Sequence, residues 1–221
     1  MDSIRAVEIL RTFQGEISIG QRVLLIRFKK CNRNCYFCDT RLKLANLVEG
    51  EYTLKSIQKI ITYENRGLLI TGGEPLFDVN FDQTVSLLTE LGYPFADVET
   101  NGCNLLRLYE ATKDRDNIRY VYSPKDFYNG NADKLSSDEY IEKCIETIGD
   151  KLIFKIINFD HKKTLQILDF LKDFNISQNV YLMPMGKTRD EVLEAMPMTI
   201  ALSKQYGFNV TTRMHLIHNF E

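Results

Sequence analysis

Short apolar runs alternate with amphipathic stretches along this chain, and most of the runs end in a polar motif. The runs at 23–28, 68–70, 95–99, 118–122, 152–157, 180–183 and 208–212 have strand length and are rich in Val, Ile, Leu and aromatic residues. Between them, Thr53 can cap a helix carrying Leu54, Ile57, Ile60 and Ile61. Residues 82–91 put Val85, Leu88 and Leu91 on one stripe before Gly92. Ser136 and Glu139 read as a capping box ahead of a helix over 140–148. Leu165, Ile167, Leu168 and Leu171 mark another helix, and 190–206 the last. Strand and helix in alternation predict an α/β fold with a parallel sheet and helices outside it. A full eightfold β/α barrel takes about 250 residues. With 221 residues, this chain is expected to form an open, partial TIM-like barrel, as one domain over 1–221 with a surface loop at 126–133. In such a barrel the strand C-termini open on one face, where active sites form. The motifs at 31–40, 71–75, 99–102, 123–125, 184–187 and 213–215 are therefore expected to converge.

The most specific of these motifs is Lys30-Cys31-Asn32-Arg33-Asn34-Cys35-Tyr36-Phe37-Cys38-Asp39-Thr40, with the spacing C-x3-C-x2-C. Three thiolates on one tight loop can hold three irons of a [4Fe–4S] cubane and leave the fourth open. An electron-transfer ferredoxin closes its cluster with a fourth cysteine. A structural zinc site wants four ligands, commonly as two close pairs. No second pair stands nearby; Cys103 is a distant candidate, and Cys144 falls in a helical pattern. Five cysteines, an odd count, and no export signal argue against a disulfide framework and for a reducing, cytoplasmic setting. A net charge of −2 gives no electrostatic case for nucleic acid. The apolar runs are far shorter than a membrane span.

Thr71-Gly72-Gly73-Glu74-Pro75 follows a predicted strand and precedes a helix. Two glycines let backbone groups approach a ligand closely, and an ionised Glu74 accepts hydrogen bonds only, which suits an ammonium donor. With the cysteine spacing, this motif resembles the radical S-adenosylmethionine (SAM) superfamily. Further pieces resemble the 7-carboxy-7-deazaguanine synthases within it. These are Phe13-Gln14-Gly15-Glu16 with Gly20 following, Arg27 four residues before the first cluster cysteine, Cys38-Asp39-Thr40, Glu99-Thr100-Asn101-Gly102 and Ser123-Pro124-Lys125. The motifs run in the family's order from residue 13 to the C-terminus. One departure is Ile17, where the family usually carries Gly after Gln-Gly-Glu.

The resemblance implies a cluster on Cys31, Cys35 and Cys38 within a loop over 29–40, and SAM chelating its open iron. SAM would be bound by Phe37, Cys38, Asp39, Gly73, Glu74, Ser123, Pro124, Lys125, Met183, Pro184 and Met185. The implied substrate is 6-carboxy-5,6,7,8-tetrahydropterin, converted to 7-carboxy-7-deazaguanine with ring contraction and loss of ammonia. No side chain is expected to act as a catalytic acid, base or nucleophile, because SAM and the cluster carry the radical chemistry. Arg27 has the planar fork to pair with the substrate carboxylate. Gln14 and Glu16, flanking Gly15 after Phe13, offer donors and acceptors to a pterin edge. Thr71, His215 and the terminal Glu221 complete the implied substrate set. Thr40 offers a hard oxygen for Mg2+; its competing role is simply to cap the next segment. A flavodoxin- or ferredoxin-type electron donor and a homodimer are implied as well, with no nucleic-acid or membrane partner. Two alternatives stand beside this reading: a glycyl-radical-enzyme activase of the same superfamily, and a non-enzymatic zinc- or cluster-bearing module. The grouping of Gln14, Glu16, Arg27 and Thr40 argues against the first, and the glycine turn with Ser-Pro-Lys against the second.

Overall fold

The computed structural model describes residues 1–35, 38, 40–125, 135, 137–158 and 160–220. The described chain divides into two compact units. The first contains residues 1–14 and 20–120; the second contains 15–19 and 121–221.

In the first unit, β1 (Ser3–Ala6) pairs antiparallel with β4 (Gly50–Thr53) as a small separate sheet. β2 (Glu8–Phe13) pairs antiparallel with β3 (Arg22–Phe28). β3 lies parallel to β5 (Gly67–Gly72), and β5 parallel to β6 (Ala96–Thr100). Strands buried on both faces read as nearly continuous apolar runs. Leu24, Ile26, Leu68, Ile70, Ala96 and Val98, on one face, are all fully buried. The connecting helices are α1 (Arg41–Asn46), α2 (Leu54–Glu64), α3 (Asp78–Glu90) and α4 (Leu105–Thr112). Thr53 caps α2 as expected, its Oγ1 accepting from Ser56 N at 3.2 Å, and Leu54, Ile57 and Ile61 face the core. α3 starts at Asp78, earlier than the expected 82, and its buried face carries Phe81, Thr84, Leu87 and Leu88. Of the expected stripe, Leu88 and Leu91 are buried and Val85 is half-buried. The chain leaves this unit within β7 (Ile118–Tyr122).

The second unit contains α5 (Asp138–Ile148), β8 (Leu152–Asn158), α6 (His161–Leu171), β9 (Val180–Pro184), α7 (Arg189–Tyr206), β10 (Asn209–Val210) and α8 (Met214–His218). β8, β9 and β10 are parallel neighbours. Each of the three longer helices begins at a side-chain cap: Ser137, Asp160 and Thr188. The cap of α5 is thus Ser137; the expected cap Ser136 lies outside the described residues, as does the expected loop at 126–133. α7 ends at Gly207 with φ 70, a left-handed turn that glycine adopts without strain. Among the described residues no helix is long and apolar enough to cross a membrane.

Candidate active site and cofactor loop

In the first unit, strand register sets Arg27 beside Glu8 on one side and Thr71 on the other. Thr71 Oγ1 donates to Glu99 Oε2 at 3.0 Å. Glu8, Arg27, Thr71 and Glu99 therefore form a polar row across four strands, near the C-terminal ends of β3, β5 and β6. Strand side chains repeat every second residue on a face. Two and four residues back from Arg27 stand Leu25 and Val23, which cluster with Leu69 and are covered by Leu10 and Phe95. Under β3 and β5 the row is a polar layer on an apolar floor, and on β6 the floor position beside Leu69 is Asp97. Arg27 gives Nε to Glu8 Oε2 at 2.5 Å, with the side chains 14% and 11% exposed.

Gln14 is almost fully buried and donates Nε2 to Asp97 Oδ2 at 2.9 Å. Arg119 Nε reaches the other oxygen of Asp97 at 2.6 Å. Phe13, its neighbour, is 48% exposed.

The glycine turn after β5 is packed against the strand that leads into the cysteines. Gly72 has φ +123, and a Cβ there would lie 2.3 Å from Phe28 O. A Cβ on Gly73 would lie 2.3 Å from Lys30 O. Gly73 N donates to Phe28 O at 2.8 Å and Glu74 N to Lys30 O at 2.9 Å. The backbone that approaches these glycines is therefore that of residues 28–30. The Glu74 carboxylate is buried; Oε1 accepts from Leu76 N at 3.0 Å and Thr100 Oγ1 at 2.7 Å, and Oε2 from Asn101 N at 2.7 Å.

All five cysteines are thiols. Cys31 is exposed, and Cys35 and Cys38 are half-buried. Arg33 N–H points at Cys31 Sγ at 3.4 Å, and Cys38 N bonds Cys35 O at 3.3 Å. Although the residue reaches the surface, the protein crowded around the Cys31 thiol desolvates it and pushes it up to about 11; the charges of Glu74, Cys35 and Cys38 add to this, and the Arg33 N–H opposes it. A bound metal inverts that balance, because a coordinating thiol is deprotonated outright. The donor set fits a cubane: three thiols on one short loop, none in a disulfide, with a backbone N–H already aimed at a sulfur. Among the described residues no three acidic, imidazole or thiol groups converge on a single metal ion; in a cubane each cysteine binds a different iron. Thr40 stands at the N-cap of α1 but makes no side-chain cap bond, and its Oγ1 lies 3.4 Å from Cys38 Sγ. Phe37 and Asp39 lie outside the described residues.

The second unit repeats the layering. Ile17, Val121 and Ile153 form an apolar cluster with Tyr181 packed on it. The next residue on the same face of β8 is Lys155. It donates Nζ to Glu16 Oε2, and Arg213 Nε reaches Glu16 Oε1 at 3.3 Å. The three side chains are 7–10% exposed. Burial raises the Glu16 pKa, but the charges of Lys155, Arg213 and His215 outweigh it and hold the carboxyl well below the usual range. Arg213 Nη1 also donates to Gly186 O, and Thr211 Oγ1 to Glu16 O. A Cβ on Gly15 would lie 2.6 Å from His215 Nδ1, so glycine is what lets His215 lie against this turn. Ser123 Oγ donates to Lys155 O at 2.8 Å and accepts from Lys125 Nζ at 2.7 Å. Pro124, Met183 and Pro184 are buried and Met185 half-buried. Glu221 lies outside the described residues.

The structure thus groups Arg27 with Thr71, the glycine turn with the base of the cysteine loop, Gly15 and Glu16 with His215, and Ser123 with Lys125. Sequence reasoning missed Glu8, Asp97, Lys155 and Arg213 as their partners. The available signal was a charge inside an apolar strand: Lys155 within Leu-Ile-Phe-Lys-Ile-Ile, and Asp97 within Ala-Asp-Val. Such residues are almost never fully buried unless paired.

Residues 25–220 match the family described as the Radical SAM superfamily. This chain belongs to that superfamily: it is a radical SAM enzyme whose cofactors are SAM and a [4Fe–4S] cluster. Its fold is accordingly the open TIM-like β/α type. Three relatives each bear the name 7-carboxy-7-deazaguanine synthase. The one from Clostridium acetobutylicum is 29% identical, over 86% of this chain and 85% of the relative. That from Hyperthermus butylicus is 26% identical, over 97% and 92%. That from Neisseria meningitidis is 35% identical, over 65% and 59%. Among solved structures, Streptococcus suis SuiB bound to S-adenosylmethionine superposes with a TM-score of 0.57 at 15% identity. The match covers 83% of this chain and 44% of SuiB.

Proposed function

We propose that this chain is a 7-carboxy-7-deazaguanine synthase, acting as one radical SAM domain over residues 1–221. It would contract the ring of 6-carboxy-5,6,7,8-tetrahydropterin with loss of ammonia, as a carbon–nitrogen lyase of queuosine-type deazapurine biosynthesis. The observation that carries this reading is the polar row of Glu8, Arg27, Thr71 and Glu99, in which a guanidinium bonded to Glu8 through its Nε stands beside a hydroxyl and a second carboxylate. A carboxylated pterin needs that combination: an anion to be clamped and ring N–H groups to be accepted. The relatives' shared name, over most of their length, supports the same substrate and disfavours an activase.

When bound, the cluster and SAM supply a one-electron, carbon-radical start to the reaction. The protein's own work is holding and orienting. Cys31, Cys35 and Cys38 would hold the cluster. Gly73, Glu74, Ser123, Pro124, Lys125 and the 183–185 segment, with Phe37, Cys38 and Asp39, would hold SAM. Phe13, Gln14, Gly15, Glu16, Arg27, Thr71, His215 and Glu221 would hold the pterin. Thr40 would give an oxygen to Mg2+; its hydroxyl does not cap α1 and lies instead against Cys38 Sγ, beside the cluster ligands. A flavodoxin- or ferredoxin-type donor, a homodimer and a cytoplasmic location belong to the same proposal. The test is product formation: purified, anaerobically reconstituted protein, supplied with reductant and SAM, should convert the carboxytetrahydropterin to the deazaguanine acid. SAM cleavage without that product, across a range of pterins, would refute the substrate assignment.

A further inference from the structure

The loop carrying the three cysteines is braced from outside its own sequence. Lys30 O, at its base, accepts from Glu74 N at 2.9 Å and from Asn80 Nδ2 at 3.1 Å. Asn80 is buried, and its Nδ2 also reaches Glu74 O at 2.8 Å. Further along, Asn101 Nδ2 donates to Asn32 Oδ1 at 2.9 Å, while Asn101 Oδ1 accepts from Cys103 N at 3.1 Å. Asn101 N is itself held by Glu74 Oε2 at 2.7 Å. Asn101 is 5% exposed, whereas Asn32 is exposed. Asn32 Oδ1 lies 3.9 Å from Cys31 Sγ. A chain of polar contacts thus runs from the Glu74 carboxylate through the end of β6 to the residue beside the first cysteine.

We infer that Asn101 is a positioning residue for the cysteine loop: its side-chain amide fixes Asn32, and with it the Cys31 arm, while Asn80 fixes the base. Glu74 then contributes through its buried carboxylate as the anchor of Asn101. The physical case is that an irregular loop is ordered only by what it is bonded to, and a multidentate site weakens when one arm is released. The inference rests on the reading of Cys31, Cys35 and Cys38 as cluster ligands.

The test uses anaerobically reconstituted protein and two readouts independent of turnover. One is the rate of iron release to a ferrous chelator; the other is the change in the reduced cluster's electron paramagnetic resonance spectrum on adding SAM. Asn32→Ala and Asn101→Ala should each speed iron release by about tenfold, which corresponds to ~1.4 kcal/mol, within the range of one net hydrogen bond. The double variant should be no faster than either single, since both remove the same contact. Both alanine variants should show a smaller spectral response to SAM. Asn101→Asp should be rescued, because the Asn32 amide can turn and donate to the new carboxylate. Asn32 is exposed, so its variant tests the brace even where Asn101→Ala fails to fold. Iron release within twofold of wild type in Asn32→Ala, or additive effects in the double variant, would overturn the inference. Cys35→Ala, run alongside, should lose iron outright; its keeping a full complement would overturn the ligand assignment itself, separately from the brace.

Discussion

Glu16→Gln should be the most destabilising conservative change in the second unit. The carboxylate faces Lys155 Nζ and Arg213 Nε, the latter at 3.3 Å, and all three side chains are at most 10% exposed. At an effective dielectric constant of about 20, a pair at that distance is worth roughly 332/(20 × 3.3), or about 5 kcal/mol, before desolvation is charged against it. Removing one partner of a buried pair costs about 3–5 kcal/mol, because the other partner is left buried and uncompensated. Against a total stability of about 5–15 kcal/mol, that is a large share. For a domain of this size it lowers Tm by about 6–20 °C. Lys155→Met leaves Glu16 with Arg213 and should cost less than Glu16→Gln. The pH dependence has a fixed sign. The folded pKa of Glu16 lies below its unfolded value, with Lys155 and Arg213 overcoming the opposing effect of burial. Its contribution is therefore fully present above the ordinary carboxylate range, near pH 4.3, and is lost as pH falls through the folded value. The assay is urea unfolding of wild type and both variants under anaerobic conditions, from about pH 7 down to pH 4 and below. The stability gap for Glu16→Gln should stay level near neutrality and narrow only on acidification. A gap under about 1 kcal/mol at pH 7, or a larger loss in Lys155→Met than in Glu16→Gln, would refute the reasoning.

Replacing Cys31, Cys35 or Cys38 by Ala should abolish iron binding and turnover together, whereas Cys103→Ala and Cys144→Ala should keep near-normal iron, read by iron and sulfide quantitation. Arg27→Ala should weaken carboxytetrahydropterin binding by about 2–5 kcal/mol with cluster and SAM binding kept; unchanged substrate affinity would remove Arg27 from the site. Thr40→Val should blunt the response of product formation to added Mg2+ and Thr40→Ser should be milder; a wild-type rate indifferent to chelation would leave Thr40 without a metal role.

Much of the first unit was legible because its strands are buried on both faces. β3, β5 and β7 are mostly apolar runs, interrupted in β3 and β7 only by arginines, and their ends fell close to the expected positions. β1, β2 and β4 were not. Ser-Ile-Arg-Ala and Gly-Glu-Tyr-Thr are short and half-buried, and Glu-Ile-Leu-Arg-Thr-Phe mixes charge with apolar residues. What makes them strands is a partner far along the chain, such as Glu8 against Arg27, and no local pattern records it. α4 and α8 went unseen for a similar reason: eight and five residues are too few for a period to declare itself. At the candidate site, residue types and spacing were readable, since ligand chemistry is written locally. The partners were not. Gln14 on Asp97, Glu16 between Lys155 and Arg213, and Asn101 on Asn32 are pairings that only the folded chain creates.

The placement of residues 15–19 with the second unit has a consequence for synthesis. Glu16 and Arg213 are separated by 197 positions, an interval that takes a ribosome about 10–40 s at ~5–20 residues per second. Lys155 follows Glu16 only after 139 positions and Arg213 after 197, so the carboxylate's partners are incomplete for the whole of that time, although most of the first unit has already emerged. The nascent chain must therefore carry an unfinished, charged stretch next to maturing strands. A rare-codon pause or a truncation before residue 213 would leave that stretch open to proteases and chaperones. Fusing a tag or an arrest sequence to the C-terminus would test how long the chain tolerates that wait.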